Sequence, residues 1–102
     1  MSEVDALLAA ARAEYASRLP SKLAAIEELA ARGAWDEARR AAHKLRGSAA
    51  TYGFAAIGDA AAALEKLAVE ATSIDPALVR GALEHALQSL RAGIEHAAGA
   101  SR

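Results

Sequence analysis

Apolar residues recur at intervals of three and four along the whole chain, and no stretch alternates regularly between apolar and polar residues. This spacing is typical of amphipathic α-helices, and the β-branched residues that favour strands are few. A length of 102 residues suits one core, so we expect residues 1–102 to form a single domain. The pattern therefore predicts an all-α protein.

The first break in the helical pattern is Pro20, in the stretch "RLPSKL". Proline has no amide hydrogen and restricts the residue before it, so we expect an N-terminal helix to end there. Ser2 and Asp5 supply capping groups at its start. Its apolar residues, at helical spacing, are Val4, Leu7, Leu8, Ala11 and Tyr15.

Two glycines divide the next part of the chain. A helix that follows Pro20 is predicted to end at Gly33, because glycine is favoured directly after a helix. A further helix is predicted to begin at Trp35 and to run to about Tyr52, with Gly53 as its stop.

The second half of the chain predicts two more helices. The inward face of the first is formed by Ile57, Ala61, Leu64 and Ala68. Asp75 as N-cap and Pro76 at the first helical position indicate the start of the second. Its apolar face is Leu83, Leu87, Leu90 and Ile94. The sequence thus predicts an antiparallel up-and-down four-helix bundle with an additional N-terminal helix.

Charge and composition exclude several classes of function. The chain has 12 basic and 13 acidic residues and four aromatic residues, so we expect no binding to nucleic acid or to a membrane surface. The first residues, "MSEVDALLAAARAEY", are acidic at their start and do not have the pattern expected of a signal peptide. No apolar run approaches the ~18 residues of a membrane span. There is no cysteine, which fits a reducing compartment. We therefore expect a cytoplasmic protein.

The helix predicted from Trp35 carries a histidine on its outer face. At about 100° per residue, one stripe faces the core. It contains Trp35, Ala38, Ala42, Leu45, Ala49 and Tyr52. His43 lies roughly 130° from the centre of that stripe and points outward. Its neighbours one turn away are Arg39, Arg40, Arg46 and Gly47, while Lys44 is adjacent and Ala50 continues the surface.

Gly47 suggests what this surface could accommodate. A glycine inside a helix costs about 1 kcal/mol relative to alanine, and its missing side chain leaves room beside the imidazole for another molecule. Arg40 and Arg46 offer hydrogen-bond donors suited to a phosphate. A neutral imidazole nitrogen is a nucleophile at ordinary pH, so the combination favours a histidine that accepts a phosphoryl group.

The stretch "AHKLRGSAATYG", followed by "AAALE", resembles the signature of histidine-containing phosphotransfer (HPt) domains, and the likeness is good over roughly residues 15–70. The matching residues are His43, Leu45, Arg46, Gly47, Ser48, Ala49, Gly53, Leu64 and Glu65. The resemblance implies a four-helix bundle that passes phosphate between the aspartates of response-regulator receiver domains in a phosphorelay, without kinase activity.

The resemblance also implies roles for individual residues. His43 would accept the phosphoryl group on Nε2, Arg46 would stabilise it, Gly47 would keep the approach open for the receiver, and Glu65 would orient the imidazole through Nδ1. The expected partners are receiver domains and a hybrid histidine kinase. No cofactor or metal is expected in this chain, because Mg²⁺ belongs to the receiver. The role requires only a monomer.

Two positions depart from the family pattern. Arg46 stands where lysine is usual, and arginine is planar, bulkier and permanently charged. The turn before the phosphoacceptor helix reads Gly33-Ala34 where an acidic N-cap is common, so Asp36 is the alternative cap.

Two other functions remain open from the residues. One is a non-catalytic helical adaptor, in which His43 is an ordinary surface residue. The other is a small helical enzyme that uses His43 and Glu65 as an acid–base pair, although no substrate-binding motif accompanies them. His85 and His96 are eleven residues apart and lack the spacing of a metal site.

Overall fold

A computed structural model describes residues 2–100 of the chain. Four helices follow one another: α1 (Glu3–Ala31), α2 (Trp35–Thr51), α3 (Ala55–Ser73) and α4 (Arg80–Ala100). A single turn of 3₁₀-helix, Pro76–Leu78, precedes α4, and residues 2–100 contain no strand. Each long helix packs against two others, α1 and α3 both lying between α2 and α4. The prediction of an all-α helical bundle is confirmed.

The prediction of an additional N-terminal helix is wrong. α1 continues without a break through Pro20, so the two helices expected before Gly33 are one. A proline inside a helix costs about 3 kcal/mol. Leu19, Leu23 and Ile26 are buried on either side of it, and each buried side chain of this size contributes about 1.5–3 kcal/mol. Burial along a common face therefore outweighs the local cost of the exposed proline.

The start of α1 also differs from its prediction. Its capping box is present, because Ser2 Oγ accepts from the Asp5 amide and Asp5 Oδ2 accepts from the Ser2 amide. The apolar face that begins there is not covered, however. Val4, Leu7 and Leu8 are each about two-thirds exposed, at 64%, 66% and 64%. The other helices are shorter than α1, and the first residues of α1 to be buried are Tyr15 and Ala16.

The turns on either side of α2 follow the sequence closely. Gly33 and Gly53 adopt positive φ angles of 71° and 78°, which glycine tolerates best. In each turn the glycine amide and the next amide donate to carbonyls of the helix just ended; for example, Gly53 donates to Ala50 and Phe54 to Ala49. The predicted limits of α2 are therefore confirmed.

The inward faces of α2, α3 and α4 form the core with α1. On α2, the predicted stripe is buried at Ala38, Ala42, Leu45 and Ala49. On α3, the whole predicted face is buried. On α4, Leu83, Leu90 and Ile94 are buried and Leu87 is partly buried. No helix within residues 2–100 combines the length and the apolar character that crossing a membrane requires.

The start signal of the last helix is displaced by one turn. Asp75 Oδ1 accepts from the Ala77 amide at 3.0 Å, and Pro76 begins the 3₁₀ turn. α4 itself begins only at Arg80. The expected capping chemistry is present, but it serves the short turn instead of the α-helix.

Candidate functional site

The outer face of α2 presents His43 to solvent. Because Ala42 and Leu45 on either side of it are buried, the rotation of the helix is fixed and the imidazole points away from the core. The His43 side chain is 58% exposed. Gly47 and Ala50, one and two turns further along α2, are exposed on the same face.

A carboxylate from α3 holds one nitrogen of this imidazole. Glu65 Oε2 lies 2.8 Å from His43 Nδ1. An ionised carboxylate only accepts hydrogen bonds, so Nδ1 carries the proton and donates it to Glu65. In the neutral ring, Nε2 is then the nitrogen with a free lone pair. The contact therefore selects the tautomer with the proton on Nδ1 and leaves Nε2 unprotonated.

Arg46 shares the same carboxylate. Arg46 Nη1 lies 3.2 Å from Glu65 Oε1, while Glu65 Oε2 takes His43. Arg46 Nη2 also approaches His43 Nδ1 at 3.3 Å, but Nδ1 cannot accept from arginine while it donates to Glu65. The shorter contact with the acceptor-only carboxylate decides the proton position, so the arginine approach is a contact between a cation and the ring edge. Glu65, with its side chain 19% exposed, thus joins the imidazole and a permanent cation.

The surface beside His43 is open. A Cβ added at Gly47 would meet nothing within 4 Å. Further toward the end of α2, a groove of about 390 Å³ lies between α2 and α3. Its lining is mostly small residues, with Arg46 and Asp59 contributing charge; the small residues are Ala50, Gly53, Ala55, Gly58 and Ala62. The site is therefore an accessible surface that a large partner could cover.

Two of the remaining basic residues, Arg39 and Arg40, pair with an acidic residue one turn before His43. Asp36, in the first turn of α2, binds both Arg40 and Arg39, the latter at 3.1 Å. Asp36 therefore does not cap the helix, and its N-cap residue, Ala34, makes no side-chain cap. Hydrogen bonds from Arg40 and then from Arg39 hold the pKa of the Asp36 carboxyl below its ordinary value. Lys44 is exposed.

The sequence did not indicate a polar contact behind the site. The Tyr15 hydroxyl of α1 lies 2.5 Å from Ser48 Oγ of α2, next to Gly47. The Tyr15 ring stacks on Tyr52 with centroids 4.5 Å apart. Burial raises the pKa of the Tyr15 hydroxyl, the bond with Ser48 opposes that rise, and Tyr52 adds to it. In the sequence, Tyr15 and Tyr52 each stand near the end of a helical pattern. Their pairing could not be predicted, because it depends on the register between α1 and α2.

No cluster of three or more histidine, cysteine, aspartate or glutamate side chains in the described part of the chain is placed to hold a metal ion. His85 and His96 lie exposed on α4. A cavity of about 580 Å³ lies at the other end of the bundle beside Trp35 and Leu83, and none of the predicted site residues lines it.

Comparison with known proteins supports one family. A family model described as the Hpt domain matches residues 5–93. Neither the curated proteins nor the solved structures give a significant match. The family model covers most of the chain, including all four residues of the predicted phosphoacceptor site. The chain therefore belongs to the Hpt domain family, whose members are helical phosphocarrier modules of phosphorelays.

Proposed function

We propose that this chain carries a phosphoryl group on Nε2 of His43, accepting it from the aspartyl phosphate of one response-regulator receiver domain and passing it to the aspartate of another. The observation that carries the proposal is the 2.8 Å contact between His43 Nδ1 and Glu65, because it leaves Nε2 as the nucleophilic nitrogen on an exposed surface. A hybrid histidine kinase would supply the first receiver. The relay would operate in the cytoplasm.

The transfer step balances with the groups at the site and on the partner. The lone pair of Nε2 attacks the phosphorus of the aspartyl phosphate, an N–P bond forms, and the P–O bond to the aspartate breaks. The aspartate leaves as a carboxylate, and Mg²⁺ on the receiver would offset its charge. The ring keeps its Nδ1 proton and becomes a phosphorylated imidazolium. The Glu65 carboxylate, facing that proton, stabilises the positive ring.

Arg46 and Gly47 have separate roles in this scheme. In the unphosphorylated protein, Arg46 pairs with Glu65, and its guanidinium lies beside the His43 ring. From this position the guanidinium can turn to bind the phosphoryl oxygens. Gly47 leaves the surface one turn from His43 free of side-chain atoms, so that the receiver can bring its aspartate in line. Lys44, Arg39 and Arg40 would contact the receiver at the edge of the docking surface.

The direct test is transfer of radioactive phosphate from phosphorylated receiver domains. The wild type should become labelled in a form that is stable to base and labile to acid, whereas His43→Gln should remain unlabelled. His85→Gln is the matched control, since His85 is also an exposed helical histidine. If several phosphorylated receivers leave the wild type unlabelled, or if His43→Gln is labelled equally, the adaptor function replaces the proposal.

The role of Glu65 has its own test. Glu65→Gln leaves one acceptor oxygen for which His43 and Arg46 must compete, and we expect transfer to slow about tenfold, or ~1.4 kcal/mol in the barrier. Glu70→Gln, on the same helix, should change neither the rate of phosphoryl transfer nor the tautomer of the His43 ring. Nitrogen chemical shifts of His43, measured by NMR, report the tautomer directly. An unchanged tautomer and rate in Glu65→Gln would remove Glu65 from the mechanism.

A further inference from the structure

The cavity of about 580 Å³ lies where α1 ends and where α2 and α4 begin, and we call it the Trp35 cavity. Its lining comes from the end of α1 and the turn after it, from the first residue of α2, from the 3₁₀ turn and from the first two turns of α4. Sites for small molecules are typically clefts of about 300–1,000 Å³. The Trp35 cavity therefore has the size of a small-molecule site.

The floor of the Trp35 cavity is apolar. Leu83 of α4 is buried, while Trp35 and Leu87 are partly buried and pack against the core. The other apolar residues of the lining are Ala30, Ala31 and Pro76. A ligand with an apolar body would cover this surface and remove it from water, which favours binding.

Two arginines that line the Trp35 cavity have no partner within residues 2–100. Six of the eight arginines in that range contact a carboxylate or, for Arg12, the Phe54 ring. The other two, Arg32 and Arg80, make no side-chain hydrogen bond or ion pair with the described residues, and both line this cavity. They reach it from different elements, Arg32 from the turn after α1 and Arg80 from the start of α4. The unpaired arginines of the described chain are therefore gathered at one cavity.

Two glutamates also line the cavity, and one of them is already neutralised. Arg91 Nη2 donates to Glu27 Oε2 at 2.6 Å, so the charge of Glu27 is balanced. Glu84 has no partner within residues 2–100. Asp75, just before the 3₁₀ turn, is not part of the lining, and its Oδ1 accepts from the Ala77 amide. Two unpaired arginines against one unpaired glutamate leave one positive charge in excess, which favours a ligand with one negative charge.

The indole of Trp35 offers a further donor. Trp35 Nε1 lies 3.8 Å from the position that a Cβ on Gly33 would take, and both residues line the cavity. This N–H has no acceptor within residues 2–100, and no fully buried side-chain nitrogen or oxygen in that range lacks a partner. The N–H is therefore accessible to an acceptor oxygen of a ligand.

We propose that the Trp35 cavity binds a small apolar molecule that carries a single carboxylate. Its apolar body would cover the floor of the cavity. Its carboxylate would pair with the guanidinium groups of Arg32 and Arg80, whose planar donors match a carboxylate. A neutral ligand would leave the excess positive charge unbalanced, and a cationic ligand would add to it. The cavity is separate from His43, so this proposal does not rest on phosphotransfer.

Titration of the full chain with octanoate tests the site. Trp35 is the only tryptophan of the chain, so tryptophan fluorescence reports on this cavity alone. Octanoate should change the fluorescence in a saturable manner, with half-saturation below about 1 mM, and isothermal titration calorimetry should give the same affinity. Octan-1-ol and octylammonium have the same chain without the negative charge. They should bind at least about tenfold more weakly, because neither pairs with the arginines.

Substitutions of the charged residues test the assignment of the carboxylate. Arg32→Gln and Arg80→Gln should each weaken octanoate binding about tenfold, because each removes charge-assisted hydrogen bonds. Arg18→Gln is the matched control, since Arg18 is an exposed arginine of α1 outside the lining, and it should bind octanoate like the wild type. Glu84→Gln should strengthen binding about twofold, because it removes the opposing charge.

A substitution that fills the cavity tests its position. Ala31 is exposed at the end of α1 and lines the cavity, so Ala31→Phe should abolish octanoate binding and keep the melting temperature near that of the wild type. Ala24→Phe is the matched control, because Ala24 is exposed two turns earlier on the same side of α1 and does not line the cavity. It should bind octanoate normally.

Three results would overturn the proposal. The first is the absence of saturable octanoate binding below about 10 mM by both measurements. The second is an affinity for octan-1-ol or octylammonium equal to that for octanoate, which would mean that the carboxylate is not recognised. The third is undiminished octanoate binding in Arg32→Gln/Arg80→Gln or in Ala31→Phe. His43→Gln should bind octanoate like the wild type, so this proposal and the phosphotransfer proposal can each fail alone.

Discussion

The inner and outer faces of α2 use the same small residues with opposite effects. Ala49 and Ala50 are neighbours in sequence, yet Ala49 is completely buried and Ala50 is exposed beside the groove next to Arg46. On the inner face, a small side chain lets two helices approach closely. On the outer face, it leaves the surface beside His43 low and open. The effect of an alanine or a glycine in this helix therefore depends on the face that it occupies.

A substitution on the inner face of α2 should change the free energy of unfolding most. Leu45 is 2% exposed, so Leu45→Ala should lower the free energy of unfolding by about 2–4 kcal/mol through lost burial and the cavity that remains. Urea denaturation measures the change. Lys44→Ala, one position away on the exposed side, should stay within about 0.5 kcal/mol. Equal losses in the two variants would mean that the faces are not distinct in energy.

A substitution on the outer face of α2 should change the free energy of unfolding in the opposite direction. Gly47→Ala should raise the free energy of unfolding by up to about 1 kcal/mol, because the added methyl group meets nothing and alanine favours the helix. Gly53→Ala, where φ is +78°, should lower it by about 1 kcal/mol or more, even though that position is equally open. Thermal or urea unfolding separates the two.

A larger side chain at the same position sharpens the result. Gly47→Gln should keep the unfolding midpoint near that of the wild type and yet block labelling by a phosphorylated receiver. Loss of stability in Gly47→Gln would contradict this, because it would mean that the glycine serves packing within the bundle.

The smallest expected effect concerns pH. The pKa of the Asp36 carboxyl is held below its ordinary value by Arg40 and Arg39. A lowered pKa in the folded state contributes stability above the ordinary value of about 3.9, and this contribution is lost as the pH falls toward the folded pKa. Asp36→Asn should therefore reduce the dependence of the unfolding midpoint on pH below about 4, by a small amount because the carboxylate is exposed. An identical pH dependence in the wild type and in Asp36→Asn would mean that the Asp36 carboxylate contributes no stability.

Much of the fold could be predicted because helix periodicity and turn chemistry are local. The bounds of α2, the positive φ of Gly33 and Gly53, and the buried face of α3 all follow from residues within one or two turns. Pro20 was misleading for the converse reason: the local rule predicts a break, and packing of residues on both sides of it overrides the rule. The length of helix that its neighbours can cover is also non-local, so the exposure of Leu7 could not be read from its spacing.

The candidate site, too, could be predicted only in part. The outward direction of His43 follows from the rotation of one helix. The distance between His43 and Glu65 depends on how α3 lies against α2, and the sequence alone does not contain that register. Likewise, the sequence predicted that Arg40 and Arg46 would both offer donors to a phosphate beside His43. In the structure Asp36 draws Arg39 and Arg40 toward the first turn of the helix and leaves Arg46 with Glu65.

The exposure of His43 on the outside of a helix has a consequence for the lifetime of anything bound to it. A side chain more than half exposed has no walls of its own to keep water away. A phosphoryl group on Nε2 would be sheltered only while a receiver covered it, and between encounters it would face the solvent. The fraction of phosphoryl groups lost to hydrolysis would then depend on how soon the next receiver arrives, so that it would fall as the concentration of receivers rises.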